Sequence, residues 1–210
     1  EIPDRPAGQE DVIGLQLDPI DTVRIGFVGL GGRGSYALYR YLSVPWTKIV
    51  ALCDIEPDRV EKNVKFLKEN GIEVSGTYTG DEGYKELCRR DDIDLVYIST
   101  DWASHTPIAL EALNNGKNAA IEVPAATSLA ECWALVDAAE KNRKHCMMLE
   151  NCCYDFFELS ALAMAREGVF GEIVHAEGAY CHNLTDYWDG YWRNWRLDFN
   201  SKHKGDIYPT

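Results

Sequence analysis

VRIGFVGLGGRG, residues 23–34, decides the fold. Its first six residues are apolar enough, around the single Arg24, for a strand buried in a sheet, and Gly29, Gly31, Gly32 and Gly34 then crowd one short loop. Gly29, Gly31 and Gly34 satisfy G-x-G-x-x-G, a spacing in which missing Cβ atoms let the backbone lie against a pyrophosphate at the N-terminus of the next helix. That helix is expected over 35–42, and IVALCD, residues 49–54, reads as a second strand, completing a βαβ unit. Asp54 ends this strand about 20 residues after the last loop glycine, where a carboxylate accepts the hydroxyls of an adenosine ribose. A tight turn with an unrelated strand-end Asp is the competing reading. Strand, glycine loop, helix and carboxylate together point to a dinucleotide. The carboxylate favours NAD, because it repels the 2′-phosphate of NADP, and Arg33 offsets part of that repulsion.

Outward from this unit the alternation continues. Helical spacing over 58–70 stops at Gly71, a second helical stretch covers 81–90, and DLVYIST, residues 94–100, is another apolar strand. Thr106 as cap and Pro107 as first helical residue predict a helix through Asn115, closed by Gly116. A strand over 118–122, a helix over 129–142 and a strand over 145–149 follow. Strands separated by helices imply an α/β fold, a doubly wound parallel sheet of Rossmann type over residues 21–150. Residues 1–20, with Pro3, Pro6 and Pro19, read as an extended arm. In 151–210 a helix over 155–166 and a strand over 172–180 read as the start of an α+β second domain with too few elements to close a core.

Composition narrows the function classes. A net charge of −13 repels phosphate backbones and anionic lipid, so nucleic acid is not an expected partner. No apolar run approaches the ~20 residues of a membrane span. The seven cysteines are odd in number and lack C-x-x-C pairs, which leans towards free thiols in a reducing, cytoplasmic setting. A chain beginning at Glu1 leaves a removed signal peptide neither visible nor excluded, so localisation stays open. Cys181-His182 has no partner at ligand spacing, and no metal is expected.

The turn at 99–105 leaves the carboxyl end of a strand, where open α/β sheets place ligands. It offers Trp102 for stacking and His105 for hydrogen bonding to a cofactor, or His105 as a local cap. YWDGYWRNWR, residues 187–196, suits a sugar, since flat rings pack on pyranose faces while Arg and Asn serve hydroxyls. Packing in a core or in the interface of a homo-oligomer explains the same residues equally well. Asp186 and Asp189 mimic the paired carboxylates of glycosidases, or are loop acids.

GFVGLGGRG, ALCD, the stretch 102–107, and Gly116-Lys117 followed by Ala120-Ile121-Glu122-Val123-Pro124 resemble the Gfo/Idh/MocA family over residues 23–210. That family commonly has Glu-Lys-Pro where this chain has Glu122-Val123-Pro124, and its lysine helps move the proton of a substrate hydroxyl. Val123 carries no such proton, which counts against a plain sugar dehydrogenase. MLENCCYDFFEL, residues 148–159, and GDIYPT, residues 205–210, further resemble glycoside hydrolase family 109, whose members are NAD-dependent α-N-acetylgalactosaminidases.

This resemblance implies that Gly32, Arg33, Asp54, Trp102, His105, Glu122, Val123 and Asn151 line the cofactor. Tyr180, Arg196, Tyr208, Pro209 and Thr210 would lie near the sugar, with Tyr208 touching both and Tyr180 and Tyr208 catalytic. It implies hydrolysis by transient oxidation at C3, elimination, water addition and re-reduction. An NAD-dependent sugar dehydrogenase and a non-catalytic NAD-binding module are the alternatives. The family continues Tyr-Pro-Thr with a His, its proton-transfer residue, and with more of the C-terminal domain, so the resemblance implies that this chain is a fragment of a longer enzyme; alone it is expected to lack glycosidase activity, and exposed apolar surface is expected to make it associate.

Overall fold

The computed structural model describes residues 4–179 together with Cys181, Asn183, Arg196, Phe199 and Lys202. Two compact units divide the chain, residues 1–149 and 150–210. In the first unit the elements are β1 Val23–Val28, α1 Gly32–Tyr41, β2 Thr47–Asp54, α2 Pro57–Glu69, β3 Gly76–Thr79, α3 Gly83–Cys88, β4 Leu95–Ile98, α4 Trp102–Asn114, β5 Asn118–Glu122, α5 Leu129–Asn142 and β6 Cys146–Leu149. All strand pairings are parallel, and the order is β3-β2-β1-β4-β5-β6. Chain order reverses between β1 and β4, so a crevice opens above their carboxyl ends.

Period-two alternation in β1 feeds two cores. Ile25 and Phe27 point to a layer with Leu38 of α1 and Val60 and Leu67 of α2. Val28, with Val96 and Ile98 of β4, belongs to the opposite layer, against Leu87 of α3, Ile108, Ala109, Ala112 and Leu113 of α4 and Leu135 of α5. Helices on both faces make this the doubly wound α/β sheet that the sequence predicts.

Two local readings need correction. β3, the sequence GTYT, was not expected: it is a four-residue edge strand, only partly buried, whose pattern is too short to stand out. α4 begins at Trp102 rather than at Thr106-Pro107, because Asp101 is the N-cap and its carboxylate accepts from the Ser104 amide at 2.9 Å. Pro107 therefore lies inside the helix, and Trp102 and His105 sit in its first turn rather than in a loop. The arm is not free: Arg5 and Gln9 both donate to the carboxylate of Glu140 on α5, and Arg143 donates to the Glu10 and Asp11 carbonyls.

In the second unit α6 spans Phe156–Arg166. The strand expected over 172–180 is not formed in 172–179, which pair with no strand among the described residues, and Tyr180 lies outside them. A strand is held by ladder bonds to a neighbour, and an apolar run without one does not form a strand. Among the described residues no helix is long and apolar enough to cross a membrane.

Candidate functional site at the switch between β1 and β4

The crevice floor is the glycine loop. Gly29 has φ +91°, and a Cβ there would lie 2.4 Å from the Ser99 carbonyl oxygen, so the end of β4 itself demands glycine. At Gly34 a Cβ would strike the Gly29 oxygen and come within 2.5 Å of Ser99 Oγ. Ser99 holds this packing by donating its hydroxyl to the Gly29 carbonyl at 2.8 Å.

Gly31 and Gly32 differ in kind. Gly31 has φ −66°, open to any residue, and a Cβ at either glycine meets nothing within 4 Å. Among the described residues, neither backbone strain nor packing calls for glycine at these two positions. Gly31 caps α1, where no side chain caps the helix and no acidic residue stands in the first turn. First-turn amides of a helix have no partner within it and carry partial positive charge, which suits an anion approaching through the space above Gly31 and Gly32.

Two relays hold Leu30, between Gly29 and Gly31, by its backbone. Asp54 Oδ2 accepts its N–H at 2.6 Å, and Ser35 Oγ donates to its carbonyl at 2.7 Å. Ser35 in turn accepts from the buried Asn63 side chain of α2 at 3.1 Å. Asp54 Oδ1 also accepts from the Glu56 amide at 2.9 Å and from Arg59 at 3.3 Å. The strand-end carboxylate thus both shapes the loop and faces the α2 N-terminus.

Across the crevice, Glu122 ends β5 and is 8% exposed. Its Oε1 accepts from Arg33 Nε at 2.8 Å and from the Tyr97 hydroxyl at 2.5 Å. Burial, then the bond to Glu122, pushes the Tyr97 phenol far above its ordinary range, so it stays a donor. Tyr97 stacks on Phe27, 4.9 Å between ring centres, which fixes the hydroxyl from below. The Arg33–Glu122 pair links the α1 start to the β5 end over the switch point.

Trp102 and His105 are 2% and 1% exposed, so both sit beneath the crevice surface. His105 Nδ1 lies 2.7 Å from the Pro124 carbonyl and therefore carries its proton there. Burial lowers the imidazole pKa and keeps the ring neutral. His105 thus ties α4 to the turn after β5 and does not cap its own helix, which Asp101 does. Val123, half-buried, precedes a cis peptide to Pro124. Asn151, in the second unit, is exposed, and its amide donates to Glu150 at 3.1 Å. Arg196 is half-buried in the same unit. Tyr180, Tyr208, Pro209 and Thr210 lie outside the described residues. Sequence reasoning missed Ser35, Arg59, Asn63, Tyr97 and Ser99. Only Ser99, at a strand's carboxyl end, carried a positional signal.

Residues 23–150 match the oxidoreductase family GFO_IDH_MocA, described as an NAD-binding Rossmann fold. The chain is 56% identical over 211 residues to glycosyl hydrolase family 109 protein 1 of Bacteroides thetaiotaomicron, covering 100% of this chain and 45% of that protein. It is 54% identical over 217 residues to glycosyl hydrolase family 109 protein 5 of Phocaeicola vulgatus, covering 100% of this chain and 42% of that protein. The chain therefore spans less than half the length of these relatives. Among solved structures, an NAD-binding protein from Listeria innocua has a TM-score of 0.57 and 25% identity over 72% of this chain and 42% of its own. A scyllo-inositol dehydrogenase from Lactobacillus casei, solved with NAD(H) and scyllo-inositol, has a TM-score of 0.62 at 22% identity, covering 72% of this chain and 43% of its own; at that identity the likeness is one of fold.

Proposed function

The chain belongs to the Gfo/Idh/MocA oxidoreductase family with its NAD-binding Rossmann fold, and from that premise we propose that its full-length protein is an NAD-dependent glycoside hydrolase acting on α-N-acetylgalactosaminides. The observation that carries the cofactor is the pair Gly31 and Gly32, glycines with open space above them and no need of glycine among the described residues. The hydrolase reading is supported by similarity along the whole chain to glycosyl hydrolase family 109 proteins.

In this reading the first turn of α1 receives the pyrophosphate, Asp54 takes the adenosine ribose, and Arg33, held by Glu122, lies over the crevice. Bound NAD supplies a hydride acceptor for C3 of the sugar, restored within each turnover. A ketone at C3 acidifies the C2 proton, so the C1 substituent leaves by elimination and water adds in its place. Val123 offers no ionisable group. By resemblance to the family, Tyr180 and Tyr208 take catalytic roles, with Arg196, Pro209 and Thr210 around the sugar and proton transfer assigned to the His that follows Tyr-Pro-Thr in the family.

Hydrolysis of an aryl α-N-acetylgalactosaminide by the full-length protein in D2O tests this. The released sugar should carry deuterium at C2, without net NADH. Cleavage with the C2 hydrogen retained overturns the elimination route, and sugar-dependent NADH accumulation without cleavage makes the protein a dehydrogenase instead.

A further inference from the structure

Tyr97 brings a hydroxyl into the apolar layer of Ile25, Phe27, Leu38 and Leu52. On β4 it stands in register between Phe27 of β1 and Ala120 of β5. Its ring stacks on Phe27 and meets Tyr41 edge-on, with 5.7 Å between those two ring centres, so a phenylalanine would fill the same space. Burial penalises the hydroxyl, and the bond that offsets this is its donation to Glu122 Oε1 at 2.5 Å. Glu122 lies two residues beyond Ala120, hence on the same face of the sheet, at the far end of the ring. The same Oε1 accepts from Arg33 Nε at 2.8 Å. Arg33 stands in the first turn of α1 directly after Gly31 and Gly32, with 47% of its side chain exposed, whereas Tyr97 is 4% exposed. One end of this series of contacts is closed in the core, and the other opens on the crevice.

We propose that Tyr97 is a positioning residue for the dinucleotide: by fixing the Glu122 carboxylate it fixes the Arg33 guanidinium over the first turn of α1, without touching the ligand itself. The proposal rests on the NAD-binding reading. An ion pair between a glutamate and a half-exposed arginine costs the entropy of holding two long side chains in one arrangement, and solvent weakens it. A phenol held by two rings supplies part of that order beforehand, and its bond to a carboxylate is of the stronger, charge-assisted kind. The carboxylate oxygen is then fixed from below, so the cation gripped on it already stands in place when an anion arrives. Less freedom is lost on binding, and the ligand is held more tightly.

Calorimetric NAD affinities of the full-length protein, unmutated and as Tyr97→Phe, Arg33→Ala and the double variant, test this. Tyr97→Phe removes one oxygen and keeps the ring, and it should weaken NAD by about fivefold or more. Arg33→Ala should weaken NAD by at least as much. In the Arg33→Ala background, loss of the Tyr97 hydroxyl should cost less than about a further twofold, because the group through which it acts is gone. A hydroxyl that merely supports the fold would cost the same factor in both backgrounds. Glu122→Asp keeps the charge but draws the carboxylate back by one methylene, and it should weaken NAD with the same dependence on Arg33, so the test does not hang on the core accepting a change at 97. For either variant, unchanged NAD affinity, or an equal factor lost with and without Arg33, overturns the assignment and leaves NAD binding standing. Failure of the unmutated protein to bind NAD overturns the dinucleotide reading and this assignment with it.

Discussion

Gly31 and Gly34 sit three positions apart in one loop, and the structure gives them opposite reasons for being glycine. Gly34 is crowded by the Gly29 oxygen and Ser99 Oγ, whereas Gly31 faces empty space with an ordinary φ of −66°. Gly34→Ala should therefore destabilise the fold by roughly 2–4 kcal/mol, since the first turn of α1 must move away from the Gly29 carbonyl and the Ser99 hydroxyl to admit a methyl group. Gly31→Ala should cost only about 1 kcal/mol of stability, the difference between glycine and alanine at a helix N-cap, and weaken NAD binding by about tenfold or more, because the methyl group occupies ligand space. Thermal unfolding and calorimetry on the two variants separate these effects. A Gly31→Ala protein that binds NAD unchanged would remove the open space above Gly31 from the site.

At the scale of the element, α4 shows how a cap outweighs a proline signal. Thr106-Pro107 has the composition of a helix start, but Asp101 accepts from both the amide and the hydroxyl of Ser104 and starts the helix five residues earlier. The early start carries Trp102 and His105 into the helix's first turn, and His105 then reaches the Pro124 carbonyl. Asp101→Ala should cost about 1 kcal/mol in denaturant unfolding. It should also speed amide exchange at residues 102–105 relative to the centre of α4. Unchanged exchange there would place the start of the helix at Thr106 after all.

For the molecule as a whole, the arm joins the first unit through a carboxylate that the helix cannot expose. Glu140 has 2% of its side chain exposed and takes both Arg5 and Gln9, while the Arg5 side chain is 53% exposed. Losing the partner of a buried charge costs several kcal/mol when both groups are enclosed, but solvent around Arg5 screens much of that. A double-mutant cycle of Arg5→Ala and Glu140→Gln should thus give a coupling of about 1 kcal/mol in chemical denaturation. Coupling near zero would mean that the arm adds nothing to the fold's stability.

The βαβ start, the parallel α/β class, the ends of β5 and α5 and the glycine loop were legible because each rests on local chemistry. An apolar strand and a residue without Cβ act within a few residues of themselves. β3 escaped because an edge strand of four residues, alternately half-buried and exposed, takes its identity from the ladder it makes with β2. What the loop residues do for one another was decided only in three dimensions. Leu30 is pinned by Asp54 and Ser35, Arg33 is drawn to Glu122 and Tyr97, and Arg59 is left to Asp54. Two arginines in the first turns of consecutive helices look alike in sequence; which carboxylate each one meets depends on the order in which β2, β1, β4 and β5 lie side by side.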